Sequence, residues 1–146
     1  MRIVIQRVKE ASVVANGTLS GKIGKGILVF FAVHKNDVPE SVTWLAKKLV
    51  HLRLFPDDQG KMNLNINDVE GEVLVVSQFT LYASCLRGRR PDFVDSAPGE
   101  LAEAMYDKFV YEVKNELGHV QTGKFGAKME VSLINDGPVT FIIDHP

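Results

Sequence analysis

Three polar side chains interrupt an apolar segment in the middle of the chain. Residues 73–76 are Val, Leu, Val and Val, a run typical of a buried strand, and Ser77, Gln78 and Thr80 follow it around Phe79. A buried hydroxyl or amide without a partner costs about 1–3 kcal/mol, so three in one segment indicate either partners or a use. Such groups can attack a carbonyl or stabilise the charge that develops on it, which makes the three polar side chains candidates for a functional site. A strand end whose polar groups bond to neighbouring loops is the plain alternative.

The second informative stretch is NDGPVT at residues 135–140. Asp136-Gly137 alone predicts an ordinary hairpin turn between two strands. Pro138 directly after Gly137 is less ordinary, because it removes a backbone donor where a hairpin needs one. The Gly-Pro peptide can be held cis if the fold requires it, although a wide turn with a trans proline is the simpler prediction.

The remaining chemistry-bearing residues limit what the two stretches can do. All four histidines lie outside them: His34, His51, His119 and His145. Neither the nucleophile-elbow pattern G-x-S-x-G nor the zinc pattern HExxH occurs. The single cysteine excludes an internal disulfide and a cysteine metal cluster, and it fits a reducing compartment. We therefore predict no metal and no cofactor.

Hydrophobic periodicity predicts the elements that position these stretches. Strands are predicted at residues 2–14, 27–33, 53–55, 71–83, 120–125, 127–134 and 139–143, with a hairpin turn at residues 16–17 leading to a short second strand. In the strand over residues 71–83, Ser77 and Phe79 should face one side and Gln78 and Thr80 the other. One helix should begin with Asp37 as its N-cap, and a second should run from residue 98 to a stop at Gly118.

These elements predict an α+β fold, a largely antiparallel β-sheet or barrel-like core with two main helices, in a single domain over residues 1–146. The net charge of -1 gives no global basic field, so any nucleic-acid contact must rest on a local patch. No apolar run approaches the roughly 20 residues of a membrane span, and the N-terminus has no apolar signal region. We predict a cytoplasmic protein.

Several stretches together resemble the D-aminoacyl-tRNA deacylases, the D-tyrosyl-tRNA deacylase family. They are SQFTLYA at residues 77–83, NDGPVT at 135–140, MRIVIQRV at the start, GRRPDF at 88–93 and QTGKFGA at 121–127. The resemblance covers essentially the whole chain and keeps the order and spacing of the motifs. One departure is the segment Ser84-Cys85-Leu86, where the family leads us to expect more polar residues.

The resemblance implies an enzyme that hydrolyses the ester between a D-amino acid, or glycine, and the terminal ribose of tRNA. It implies a homodimer without metal, with each active site at the interface and a cis Gly-Pro loop that reaches into the partner's pocket and excludes L side chains. The residues it assigns to the ester site are Ser77, Gln78, Phe79 and Thr80. Those it assigns to substrate binding and chirality are Asn135, Gly137, Pro138, Val139, Thr140, Arg7 and Phe125. Three loop arginines are candidate RNA contacts: Arg87, Arg89 and Arg90.

Two mechanisms remain open for such a site. In the favoured one, backbone N–H groups near Phe79 and Thr80 stabilise the oxyanion while the ribose 2′-hydroxyl helps to activate water. In the other, Thr80 is the nucleophile, but a threonine needs an adjacent base. Two other classes of function also remain, a non-catalytic RNA-binding module and a Ser/Thr esterase that uses a distant histidine.

Overall fold

The computed structural model describes residues 1–145. Its strands are β1 (Arg2–Ala15), β2 (Thr18–Ile23), β3 (Gly26–Ala32), β4 (Phe55–Pro56), β5 (Met62–Leu64), β6 (Glu72–Ser77), β7 (Gln121–Thr122) and β8 (Met129–Asp144). Its α-helices are α1 (Glu40–His51) and α2 (Gly99–Leu117), and one turn of 3₁₀ helix spans Phe79–Tyr82.

Six strands form one strongly curled sheet. β1 is its longest central strand and pairs antiparallel with β2, β3 and β8, whereas β3, β6 and β7 pair in parallel. At the far side of the curl, the Ser20 hydroxyl of β2 donates to the carbonyl oxygen of Thr122 in β7 at 3.0 Å. This contact nearly closes the sheet, so the predicted barrel-like α+β core is confirmed, with two parallel pairings among the antiparallel ones.

Apolar side chains fill both faces of this sheet. One buried cluster includes Ile5 and Val75 and lies between the sheet and the two helices. The other includes Val13 and Leu74 and lies inside the curl. The helix layer is joined to the sheet by Tyr106 of α2, whose hydroxyl donates to the carbonyl oxygen of Val75 at 3.0 Å. β6 therefore sits between two cores, which fixes the position where it ends.

The helices agree with the sequence predictions at both ends of α2 and disagree at the start of α1. α2 ends at Leu117, and Gly118 follows with φ 81°, the left-handed conformation that glycine adopts most easily. α1 begins at Glu40 without a side-chain cap, so the predicted N-cap role of Asp37 is wrong. The Asp37 carboxylate instead accepts a hydrogen bond from the amide of His34 at 2.7 Å and contacts the amino nitrogen of Met1.

The tail differs most from the prediction. Residues 129–144 form one continuous strand, so NDGPVT is not a turn between two strands. It is a bulge in β8: Asn135 pairs with Val8 and Thr140 with Gln6, so that five steps along β8 span two steps along β1. The long partner strand β1 keeps both halves of β8 in register, which local turn signals do not reveal.

Neither helix within residues 1–145 combines the length and the apolar content needed to cross a bilayer.

Candidate active site

The apolar strand β6 ends at Ser77, earlier than the sequence predicts. The amide of Gln78 makes the last sheet hydrogen bond, donating to the carbonyl oxygen of Phe31 at 2.8 Å. The chain then turns into the 3₁₀ helix Phe79–Tyr82. The predicted alternation of faces across residues 77–80 is therefore wrong, because the chain leaves the sheet after Ser77 instead of continuing it.

A cavity of about 460 Å³ opens where β6 ends. Ser77, Gln78 and Phe79 line it together with Phe125, and small or apolar residues such as Ala127 form the rest of the wall. Among the described residues, none that lines the cavity has an ionisable side chain. The cavity is thus an uncharged pocket with a few polar groups at one end, the usual composition of a small-molecule site.

Two backbone donors are left free beside this cavity. Within residues 1–145, no hydrogen bond is assigned to the amides of Phe79 and Thr80, whereas Leu81 and Ala83 donate to Gln78 and Thr80 carbonyl oxygens. The Phe79 carbonyl oxygen accepts from the hydroxyl of Ser96, which does not line the cavity, at 3.1 Å. In a trans peptide the carbonyl and the next amide point in opposite directions, so Ser96 also fixes the direction of the Thr80 N–H.

The side chain that contacts the Thr80 hydroxyl is a carboxamide and not a base. The Gln78 side-chain Nε2 donates to Thr80 Oγ1 in a short contact. A carboxamide does not take up a proton at neutral pH in either orientation. Thr80 is exposed, and it lies outside the lining of the cavity. Among the described residues, the Thr80 hydroxyl therefore has no bonded group that could accept its proton and assist it as a nucleophile.

Arg7 organises the second motif. Its guanidinium is nine-tenths buried; Nη1 donates to the carbonyl oxygen of Leu54 at 2.6 Å and Nε to that of Asp136 at 3.1 Å. Nε also lies 3.2 Å from Asp136 Oδ2. The Asn135 Nδ2 donates to the carbonyl oxygens of Arg7 and Val139 at 3.0 and 3.2 Å. Three hydrogen bonds and one ion pair therefore hold the bulge.

At the tip of the bulge, the Gly137–Pro138 peptide bond is cis. Both residues are exposed, whereas Val139 is buried. A Cβ atom on Gly137 would lie 2.7 Å from Asn135 Oδ1, closer than any ordinary contact. The position thus requires glycine for as long as Asn135 keeps its hydrogen bonds. Thr140, the last residue of the motif, accepts from Gln6 Nε2 at 3.3 Å.

The two motifs do not meet within one chain. Gly137 is in β8, at the level of Arg7 in the neighbouring strand β1. Ser77 of β6 pairs with Phe31 of β3, which in turn pairs with Ile3 of β1. Three strand spacings and four residues along the strands separate the two motifs, about 20 Å across the sheet. No residue of the second motif is among those that line the cavity.

The other predicted residues lie nearer the first motif. Phe125 lines the cavity and also packs against Tyr106 with ring centroids 5.7 Å apart, so it belongs to both cavity and core. Arg87, Arg89 and Arg90 are exposed in a loop whose base is closed by two backbone hydrogen bonds between Ser84 and Asp92, of 2.8 and 2.9 Å.

Sequence reasoning missed the residues that hold the 3₁₀ turn. Ser96 is one, and Arg2 is another: Nη1 donates to the Leu81 carbonyl oxygen at 2.8 Å, while Nε donates to Asp144 Oδ1 at 2.7 Å. The pairing with Asp144 raises the pKa of Arg2. Ser96 stands in no motif, and Arg2 belongs to MRIVIQRV without any local signal that it contacts residue 81, so sequence reasoning assigned neither of them to the turn.

Tyr82 is a further ionisable group in this turn. Its ring lies 5.0 Å from the Arg2 guanidinium carbon and packs edge-on against His34 at 5.1 Å. Burial, followed by the carboxylates of Asp37 and Asp144, raises the pKa of Tyr82 above its ordinary value. Its phenol is therefore neutral at physiological pH and supplies no base to the turn.

Comparisons with known proteins agree along the whole chain. The family model described as D-Tyr-tRNA(Tyr) deacylase matches residues 4–144. The D-aminoacyl-tRNA deacylase of Desulfatibacillum aliphaticivorans is 57% identical over 145 residues, with 99% of each chain covered. That of Protochlamydia amoebophila is 52% identical over 144 residues, which cover 99% of this chain and 95% of that protein.

Two solved structures share the fold. A c-Myc DNA unwinding element binding protein superposes with a TM-score of 0.92 at 38% identity, covering 100% of this chain and 99% of that one. A probable eukaryotic D-amino acid tRNA deacylase superposes with a TM-score of 0.89 at 18% identity, covering 99% and 98%. The resemblance found in the motifs is confirmed: the chain belongs to the D-Tyr-tRNA(Tyr) deacylase family and is a hydrolase.

Proposed function

We propose that this chain hydrolyses the ester bond between a D-amino acid, or glycine, and the terminal ribose of tRNA, in the cytoplasm where charged tRNA is used. The observation that carries the proposal is the uncharged cavity beside the free amides of Phe79 and Thr80. Two free N–H groups at the rim of an apolar pocket can donate to an oxyanion and offer nothing to a cationic ligand.

The proposed mechanism follows from the absence of ionisable side chains among the described residues that line the cavity. Since no ionisable side chain of this chain's residues 1–145 lines it, the cavity itself offers a bound ester no base. We assign the activation of water to the neighbouring ribose 2′-hydroxyl and the stabilisation of the tetrahedral oxyanion to the amides of Phe79 and Thr80. General-base catalysis contributes about 10²–10⁴-fold, a loss that an already reactive aminoacyl ester tolerates. Ser77 and Gln78 position the substrate.

Chirality is assigned to the second motif. D- and L-aminoacyl esters have the same atoms and charges, so only shape around the α-carbon distinguishes them. A steric barrier against the L side chain serves many amino acids, whereas attractive side-chain contacts would restrict the enzyme to one. The bulge at Gly137 and Pro138 suits such a barrier, because Arg7 and Asn135 fix it through three hydrogen bonds. The barrier cannot exclude glycine, which has no side chain.

The separation of the motifs supports a homodimer with shared active sites. A bulge about 20 Å from the cavity across the sheet cannot act on an ester bound there, whereas the bulge of a second copy can. β8 carries exposed apolar residues, Ile134, Phe141 and Ile142, and its outer edge has no partner strand among residues 1–145. An open edge of this length is a surface that proteins normally cover.

The rival functions explain fewer observations. A non-catalytic RNA-binding module gives no role to an apolar cavity beside free amides. A Ser/Thr esterase needs a base beside its nucleophile, and Thr80 has Gln78 in that place. Among the described histidines, His34 contacts this turn, and its ring packs on Tyr82.

Parallel deacylation assays on D-tyrosyl-, L-tyrosyl- and glycyl-tRNA test the proposal. We expect hydrolysis of the D and glycyl esters, with the L ester resistant even at high enzyme concentration. Comparable rates on the D and L esters would defeat the steric account while leaving the esterase activity standing. No hydrolysis of any of the three would defeat the proposed function.

A further inference from the structure

Two aromatic rings lie exposed side by side at the rim of the cavity. Phe79 is 56% exposed and Phe93 41%, and their ring centroids are 5.1 Å apart at an interplanar angle of 53°. Phe79 lines the cavity and Phe93 does not, so the pair extends from the cavity wall onto the outer surface. Large apolar rings grouped at the surface of a small domain mark a binding site more often than a packing defect.

The pair is held in place by its backbone. The Ser96 hydroxyl donates to the Phe79 carbonyl oxygen at 3.1 Å, and the Ser96 amide donates to the Phe93 carbonyl oxygen at 3.0 Å. The amide of Val94 donates to Asp92 Oδ1 at 2.8 Å. One serine therefore joins the two segments that carry the rings, so a ligand would meet a surface that is already formed.

The loop that ends beside Phe93 carries a concentrated positive charge. Between Ser84 and Asp92 it contains three exposed arginines and no acidic residue: Arg87, Arg89 and Arg90. Within residues 1–145 none of the three forms an ion pair. In a chain of net charge -1 this is a local cationic patch next to two exposed π-faces.

Exposed rings beside unpaired arginines match one class of ligand. Single-stranded nucleic acid offers a base to stack and a phosphate to neutralise at each step, and stacking platforms flanked by basic residues are how proteins bind it. An acidic peptide or a membrane surface would use the charge but leave the rings without a planar partner.

We propose that Phe79, Phe93 and the arginine loop bind the unpaired nucleotides that precede the terminal adenosine of the substrate tRNA. This inference rests on the proposed function, which places the ester and its ribose in the cavity. The strand then leaves the cavity over Phe79, stacks a base on Phe93 and presents its phosphates to the loop. Phe93 is thus a binding residue for the RNA and not for the amino acid.

A series of D-tyrosyl esters of increasing length tests the platform. The amino acid is attached to adenosine, to the dinucleotide CA and to the trinucleotide CCA, and KM is measured for the full-length chain. In the wild type we expect KM to fall by about tenfold or more from the adenosine ester to the trinucleotide ester. Phe93→Leu should lose that difference while keeping the wild-type KM for the adenosine ester, and Phe93→Tyr should retain it.

Tyr111→Leu supplies a matched control, since Tyr111 is an aromatic residue of α2 that is 63% exposed. It should behave as the wild type on all three esters. If Phe93→Leu keeps the full length dependence, or if Tyr111→Leu loses it equally, the platform is excluded.

Direct binding separates this inference from the proposed function. If the wild type hydrolyses none of the esters, the proposed function fails, and the platform is then decided by binding of a labelled, uncharged RNA that ends in CCA. Weaker binding by Phe93→Leu than by Tyr111→Leu supports the platform. Equal binding of an abasic trinucleotide and of CCA by the wild type would mean that charge alone acts, and would overturn it.

Discussion

Arg7 and Asp136 are 129 residues apart in sequence, yet Arg7 Nε donates to the Asp136 carbonyl oxygen at 3.1 Å. The same guanidinium donates to the buried carbonyl oxygen of Leu54 at 2.6 Å. One side chain of β1 thus ties the bulge of β8 to the segment after α1.

The first prediction concerns this tie. Arg7→Ala should lower the free energy of unfolding by about 2–4 kcal/mol, because it leaves the Leu54 and Asp136 carbonyl oxygens without their donor. Deacylation should fall as well, since the bulge loses its support. Urea denaturation and single-turnover assays measure the two effects. Arg53→Ala, which changes an exposed arginine, should stay within about 0.5 kcal/mol of the wild type. Wild-type stability in Arg7→Ala would show that the buried contacts are replaceable.

The second prediction concerns Gly137. In Gly137→Ala the new Cβ atom would lie 2.7 Å from Asn135 Oδ1, so Asn135 must give up its hydrogen bonds to Arg7 and Val139. We expect a loss of stability of about 1–3 kcal/mol and at least a tenfold loss of deacylation. Gly24→Ala is the control, because its nearest neighbour would be Glu72 Oε2 at an ordinary 3.5 Å. Kinetics unchanged by Gly137→Ala would remove the bulge from the mechanism.

The third prediction concerns Thr80. If Thr80 only orients the substrate, Thr80→Ala should keep measurable deacylation, with the loss mainly in KM. A trapped acyl-enzyme in the wild type, together with complete inactivity of the variant, would instead establish Thr80 as the nucleophile. The converse test replaces the terminal ribose 2′-hydroxyl with hydrogen: turnover should then fall by about 10²-fold or more. Undiminished turnover would exclude assistance by the substrate.

The fourth prediction concerns Ser96 as a positioning residue. Ser96→Ala removes the side-chain donor to the Phe79 carbonyl oxygen and so loosens the direction of the Thr80 N–H, and we expect kcat to fall by about five- to tenfold. Ser96→Thr, which keeps the hydroxyl, should restore most of kcat. Ser20→Ala removes a similar bond, from a hydroxyl to the Thr122 carbonyl oxygen at 3.0 Å, between two residues that do not line the cavity, and should leave kcat unchanged. Equal losses of kcat in Ser96→Ala and Ser20→Ala would assign both serines to stability alone.

The fifth prediction concerns assembly. Ser77→Trp should fill the cavity, and Gly137→Trp should block the bulge, so each variant alone should be inactive. If the two motifs act across a dimer, a randomly exchanged mixture should regain about a quarter of the wild-type activity, because half of the dimers then contain one intact site. Size-exclusion chromatography with differently tagged chains verifies that mixed dimers form. Formation of mixed dimers without recovered activity would place both motifs in a single chain.

The sequence by itself determined much of this protein. The apolar runs of β3 and β6 and the stop of α2 at Gly118 follow from periodicity and glycine chemistry, which act over a few residues. The two motifs were also visible, because polar groups in an apolar run and a Gly-Pro step are local departures from pattern. Their identity as a pair came from resemblance to a family.

Only the tertiary structure decided how the motifs are used. The 3₁₀ turn at Phe79–Tyr82 begins where the last sheet bond to Phe31 is made, and no property of residues 77–82 alone marks that point. β8 continues through NDGPVT because β1 pairs with it on both sides of the bulge, a contact more than 120 residues away in sequence. The support from Arg7 and Ser96 is of the same kind. Long-range hydrogen bonds depend on which strands become neighbours, and short-range patterns carry no information about that choice.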